Sequence, residues 1–170
     1  MKKIGILIAA LLAVTTLSAQ KFAVVDMEYI MKNIPAYETA NEQLNQASAR
    51  WQKEVEARMQ EVQTLYKNYQ TELVFLSDEM KVKRENEIVE KEKAAQELKR
   101  KYFGPEGELF KKRSSLMQPI QDEVYNAVKN IAEEKQYQFI IDKASAMNII
   151  YVSPKIDISD DVLAKLGYSR

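Results

Sequence analysis

Between Pro35 and Gln136 the sequence carries little turn chemistry and is dominated by Glu, Gln, Lys, Ala and Leu, residues that favour helix. Apolar residues recur there at steps of three and four: Leu44, Ala47, Trp51, Val55, Met59, Val62, Leu65 or Tyr66, Tyr69, Leu73 and Leu76. A second series runs through Ile88, Ala95, Leu98 and Tyr102, then Leu109, Leu116, Ile120, Val124, Val128 and Ile131. Each series makes a narrow seam rather than a broad core face, the pattern of a helix that pairs with one neighbour. Two such seams on one chain predict a long antiparallel helical hairpin. So thin a structure buries little surface by itself, and its base must be held by something else.

Two places compete for the reversal. Ser77-Asp78-Glu79 has a serine that can cap a new helix and acids that favour the positive end of the helix dipole. Gly104-Pro105-Glu106-Gly107 is the stronger breaker by composition, but a turn there would give arms of very unequal length. The hairpin, residues 36–136, is therefore expected to turn near 76–80. Pro105 is read as a kink in the returning helix at 104–107, with Gly104 and Gly107 as hinge residues beside it.

Both ends of the chain look different. Phe22-Ala23-Val24-Val25 is a β-type run ending at Asp26, which can cap a short helix over Met27–Asn33. Tyr137–Asp142 and Asn148–Val152 read as two further strands with a turn at Lys143–Ala146, and Ser159-Asp160-Asp161 as the start of a last helix. The expected fold is α+β and mainly α: a hairpin arm projecting from a small β-sheet body, residues 20–35 and 137–170. Phe22, Val24, Phe139, Ile141, Ile150 and Val152 are the expected core and assembly contacts of that body. Three short strands make a weak sheet, and small sheets are often completed by oligomerisation.

Residues 1–19 have the three parts of a cleavable export signal: Lys2 and Lys3, the apolar run Ile4–Val14, and small residues up to Ala19. The apolar run is too short to span about 30 Å of hydrocarbon comfortably. Without that signal the chain has 23 basic and 25 acidic side chains, a balance that argues against nucleic-acid binding. Residues 36–75 carry a net charge of −2 and residues 81–113 a net of +4, as two complementary helices would.

The chain has no cysteine and no histidine, which removes most metal and nucleophile chemistry. Residues 20–170 contain only Gly104, Gly107 and Gly167, too few for a phosphate-binding loop. Asp157, Ser159 and Asp161 imitate the start of a calcium loop, but its sixth position is Val162 and its twelfth is Tyr168. Asp26 and Asp142 lack any partner that would make them catalytic. No metal, cofactor or enzymatic activity is expected. The aromatic residues Trp51, Tyr66, Tyr69, Phe75, Tyr102, Phe103 and Phe110 have two readings: seam packing, or weak apolar contacts offered to a bound chain.

Lys21-Phe22-Ala23-Val24-Val25-Asp26-Met27, the helical hairpin, Phe139-Ile140-Ile141-Asp142 and the run from Tyr151 to Leu163 together resemble the Skp/OmpH family of periplasmic chaperones. The resemblance implies a homotrimer whose arms enclose unfolded outer-membrane β-barrel proteins without ATP, in the periplasm, with a contact to the membrane surface as a further implied property. Client contacts are then expected near the tip, at Phe75 and Leu76 with Lys81, Lys83 and Arg84 close by. The competing reading is a structural or adaptor coiled coil of the cell envelope that binds one folded partner.

Overall fold

The structure, a computed structural model, describes residues 21–168; the expected export signal lies outside them. The chain is mainly helical, with a small sheet joining segments from its two ends. In order, the elements are β1 (Phe22–Val25), α1 (Met27–Lys32), α2 (Pro35–Glu72), α3 (Asp78–Phe103), α4 (Glu108–Lys135), β2 (Phe139–Asp142), a 3-10 turn (Pro154–Ile156) and α5 (Ser159–Lys165). They divide into two compact units. Of the described residues, one unit holds 21–34 and 123–168, and the other is Pro35–Asp122.

The first unit is organised by a parallel pair, with Phe22 opposite Phe139 and Val25 opposite Asp142. Parallel strands need a long connection, and here everything from α1 to α4 lies between them. Ala23 and Val25 are buried with Ile30, Val124, Ile131, Val162 and Leu163. Asp26 ends β1 and caps α1, its Oδ1 accepting the Tyr29 N–H at 2.9 Å. Helix α4 ends on Gln136, a non-glycine residue at φ 59, while the Tyr137 N–H closes on the Ala132 carbonyl at 2.9 Å.

Three segments distant in sequence meet through polar groups beside β1. The Asp26 N–H donates to Ser159 Oγ at 2.8 Å, across 133 residues of chain. Ser159 Oγ donates in turn to Asp157 Oδ1 at 2.6 Å, and the Ser159 N–H donates to the same oxygen at 3.0 Å. Lys143 Nζ bridges Asp157 at 2.8 Å and Asp26 at 3.4 Å. The Met27 N–H donates to Asp142 Oδ1 at 3.1 Å. Ser159 thus lies inside α5 as a buried crosslink instead of capping it. Ile158 occupies the cap position with no side-chain bond. The capping motif is local in sequence, whereas the partner that captures Ser159 is not.

The expected strand over Asn148–Val152 does not form within the chain. Ile150 is fully exposed, and Val24 instead bridges Asp157, its carbonyl accepting the Ile158 N–H at 2.9 Å. The stretch of β1 that a third strand would need is already engaged. Of the residues expected as core and assembly contacts of the body, Val24 is buried and Val152 half-buried within the chain, while Phe22, Phe139, Ile141 and Ile150 are exposed on it. Both alternating sets of these strands are apolar, so alternation alone does not choose the buried one. The chain packs Ala23 and Val25 inward and leaves Phe22 stacked on Phe139 at 5.7 Å on the open face.

The second unit is built on α2 and α3, which run antiparallel. Trp51 stacks on Tyr102 at 5.1 Å, Glu61 pairs with Lys91 at 2.7 Å and Glu72 with Arg84 at 3.5 Å, so contacts advance along α2 as they retreat along α3. Helix α2 has 38 residues, about 57 Å of rise. The buried seam is narrow: from Trp51 to the turn Val55 and Ala95 are fully covered, with Val62, Leu65, Tyr69, Ile88 and Leu98 half-covered, and Ala40, Leu44 and Ala47 are buried nearer the start of α2. Met59, Tyr66 and Leu73, read from the sequence as seam candidates, are exposed beside it. Steps of three and four drift around a helix, and only one of two neighbouring series can face the partner.

Replacing Ser159 by alanine orphans the Asp26 N–H and is expected to destabilise the first unit by about 1–3 kcal/mol, measured by denaturant unfolding. Burial pushes the Asp157 carboxyl up, but the bonds from Lys143 and Ser159 outweigh it and hold it below its ordinary value of 3.8. Asp142 is likewise pushed up by burial and drawn below 3.8 by the Met27 and Ala144 N–H groups. Carboxylates depressed in the folded state add stability above their unfolded pKa and lose it as pH falls through the folded one. Stability is therefore expected to be flat near neutrality and to drop below about pH 4.

Candidate functional site

Three places gather the residues singled out above. The first is the turn of the hairpin. Helix α2 stops at Glu72, the Phe75 N–H donates to the Glu72 carbonyl at 2.8 Å, and Ser77 caps α3 by accepting the Met80 N–H at 3.4 Å. A tight turn between two helices has no room to fold its side chains back, so Val74 and Phe75 project into solvent, Phe75 at 86 % exposure. Leu76, in the turn before the Ser77 cap, is half-buried. Of the basic residues nearby, Lys81 pairs with Asp78 at 3.1 Å, and Arg84 with Glu72 and Glu87. Lys83 is exposed.

The second place is the joint between α3 and α4. The sequence suggests a kink within one helix; the structure has a complete break, with α3 ending at Phe103 and α4 starting at Glu108. Gly104 closes α3, its N–H donating to the Arg100 carbonyl at 2.8 Å, and the Gly107 N–H donates to the Gly104 carbonyl at 2.9 Å. A Cβ on Gly104 would sit 2.4 Å from the Arg100 carbonyl oxygen, and one on Gly107 would sit 2.8 Å from those of Lys101 and Tyr102. The two glycines let the backbone turn back on its own carbonyls, and Pro105 between them occupies turn rather than helix. The proline inside a helix is Pro119 in α4, whose seam neighbours Met117 and Ile120 are buried.

The third place is the open face of the sheet, with Phe22, Phe139 and Ile141, and the exposed residues Met147, Ile150 and Tyr151 of the segment that follows β2. These side chains supply apolar surface and no reactive group.

Along α2 and α3 the polar partners are structural. Tyr102 donates its hydroxyl to Glu54 at 2.8 Å and Tyr69 to Glu85, and each bond raises the phenol's pKa above the ordinary value of 10.0. Lys91 and Arg58 hold the Glu61 carboxyl below its ordinary range. Among the described residues no group of acidic side chains is arranged to hold a metal ion, and no helix is long and apolar enough to cross a membrane. The arrangement offers exposed apolar contacts carried on helices.

Comparison with known proteins agrees with this architecture. Residues 21–166 match the family described as outer membrane protein (OmpH-like), and the chain belongs to that Skp/OmpH family. It is similar to the chaperone protein Skp of Yersinia enterocolitica, with 26 % identity over 159 residues that cover 92 % of each chain.

Gly104→Ala is expected to strain the joint and cost at least about 1 kcal/mol, because the methyl group meets a backbone oxygen that cannot swing aside. Hydrogen exchange read residue by residue should show the loss as faster exchange between Arg100 and Lys111. Unchanged protection there would mean that the break does not depend on glycine.

Proposed function

We propose that this protein is an ATP-independent holdase of the periplasm, exported by its first 19 residues, which keeps unfolded outer-membrane proteins soluble between the helical arms of a homotrimer. The observation that carries the reading is the amount of apolar side chain left uncovered among the described residues. One set, Phe22, Phe139, Ile141 and Ile150, lies on the strands and following segment near the chain ends; the other, with Val74, Phe75, Val82 and Val89, lies on the hairpin. Soluble monomers rarely expose so much, and each set has a role under this proposal. Neighbouring protomers cover the first and complete a sheet that two four-residue strands make poorly alone. Clients cover the second.

The likeness to Skp supports the same reading, as does the absence of nucleotide-binding glycines. Holding many sequences requires weak contacts in number rather than one tight pocket, since linked sites multiply small affinities while each contact still exchanges. Phe75 with Lys81, Lys83 and Arg84 would serve clients at the tip. The Gly104–Gly107 joint would let α3 and α4 change their angle for clients of different size.

Two measurements test this. Light scattering of an outer-membrane β-barrel protein diluted from urea should fall when the 20–170 chain is added without ATP, saturating near one client per three chains. A folded trimer that leaves aggregation unchanged would overturn the holdase reading and favour an adaptor with one folded partner. Ile150→Asp should dissociate the trimer in sedimentation equilibrium. A single chain would tolerate that change, because Ile150 is fully exposed in it, so an unaltered mass would remove this residue from the proposed interface.

A further inference from the structure

The α2–α3 hairpin has two unlike faces. Residues seven apart lie on one side of a paired helix: Met59 and Tyr66 form such a row on α2, continued by Leu73 just past its end, while Val82 and Val89 form another on α3 that reaches Phe103 two repeats further on. The two rows share a face. Met59 and Phe103 line one crevice of about 400 Å³ together with Gln52, Val55, Glu56 and Lys99. The register set by Glu61–Lys91 and Glu72–Arg84 places Tyr66 level with Val89 and Leu73 level with Val82. All six apolar residues are exposed. The opposite face carries Glu54, Glu61, Lys83, Glu90 and Lys101 and, along the paired stretch short of the turn, only alanine among apolar side chains.

We infer that the face bearing Met59, Tyr66, Leu73, Val82, Val89 and Phe103 is where extended, apolar segments of an unfolded chain lie, a statement that rests on the holdase reading above and adds the surface to it. Three features of this face select that occupant. Its apolar rungs repeat every seven helical residues, about 10.5 Å. That is close to one turn of polyproline II, a major conformer of unfolded chains, which repeats every three residues and about 9.3 Å.

Gln52 and Gln96 occupy positions in these rows and Gln63 and Gln70 stand between them, exposed carboxamides that both donate and accept; Gln96 shares one N–H with Glu92 at 3.3 Å. An unfolded segment brings unpaired backbone N–H and C=O groups that such amides can meet in either direction. A second arm brings none, because its backbone is satisfied within its helices. Its packing would also demand a continuous seam, whereas these rungs are separated by polar residues. The crevice at Met59 and Phe103 is open, and methionine adapts to different side chains, which suits an occupant of no fixed sequence.

The test places a benzoylphenylalanine cross-linker at Tyr66 or Val89, and at Ala57 or Ala94 on the opposite face, in the full 20–170 chain. The probe is a urea-unfolded outer-membrane β-barrel protein, and a Met59→Gln/Val89→Gln variant is titrated with it in parallel. Cross-links concentrated at positions 66 and 89, with binding by the double variant weakened by about tenfold or more and its circular dichroism unchanged, are expected. Equal cross-linking from both faces, or full affinity in the double variant, would overturn the assignment of the face while leaving the holdase reading intact. A wild-type chain that neither cross-links nor keeps the probe soluble would overturn both.

Discussion

The parallel pairing of β1 with β2, fastened by Ser159, Asp157 and Lys143, is the constraint on which the rest depends. It joins the two ends of the chain, and α1 packs against α5 beside it. Each strand has four residues and supplies little by itself. The polar groups beside them bring three distant segments together with every bond directed and with no buried side-chain polar atom left unsatisfied among the described residues. Apolar packing could hold such ends together loosely. The Asp26 N–H seated on Ser159 Oγ fixes them at one position.

The hairpin is held differently. Its seam contains few fully buried residues, and the pairs across it, such as Trp51 with Tyr102 and Glu61 with Lys91, act as register marks more than as sources of stability. A narrow seam leaves most of each helix surface free to vary. One side of the hairpin uses that freedom for charge and the other for spaced apolar residues. The division follows from seven-residue spacing, so it persists along the helices instead of forming a local patch.

Much of the architecture was legible because its signals are local. Helical composition, the serine and two acids at Ser77, the β-type runs at Phe22–Val25 and Phe139–Asp142, and the cap at Asp26 each need only a few neighbouring residues. What failed depended on partners remote in sequence. Asn148–Val152 has the composition of a strand, but pairing is a property of two segments, and Asp157–Ile158 already holds the relevant part of β1. Ser159 has the look of a cap and is captured by a backbone N–H from the other end of the chain. Met59 and Leu73 fit an apolar series as well as their neighbours did, and only the partner helix decides which series is covered. At Gly104 and Gly107 the composition gave a breaker, while a kink and a full break differ in carbonyl distances that no sequence pattern states.

The 133-residue separation of Asp26 and Ser159 also sets an order of events. Helices α2 and α3 meet through a turn of a few residues and can pair as soon as both exist, whereas β1 must wait for nearly the whole chain before β2 and Ser159 reach it. The element that gathers the ends therefore closes last. A chain cut short before Phe139 would have its hairpin and lack the sheet, and with it the open face that Phe22 and Phe139 form together. The joining of the ends acts as a test of length, since that face exists only on a chain that has been made through β2.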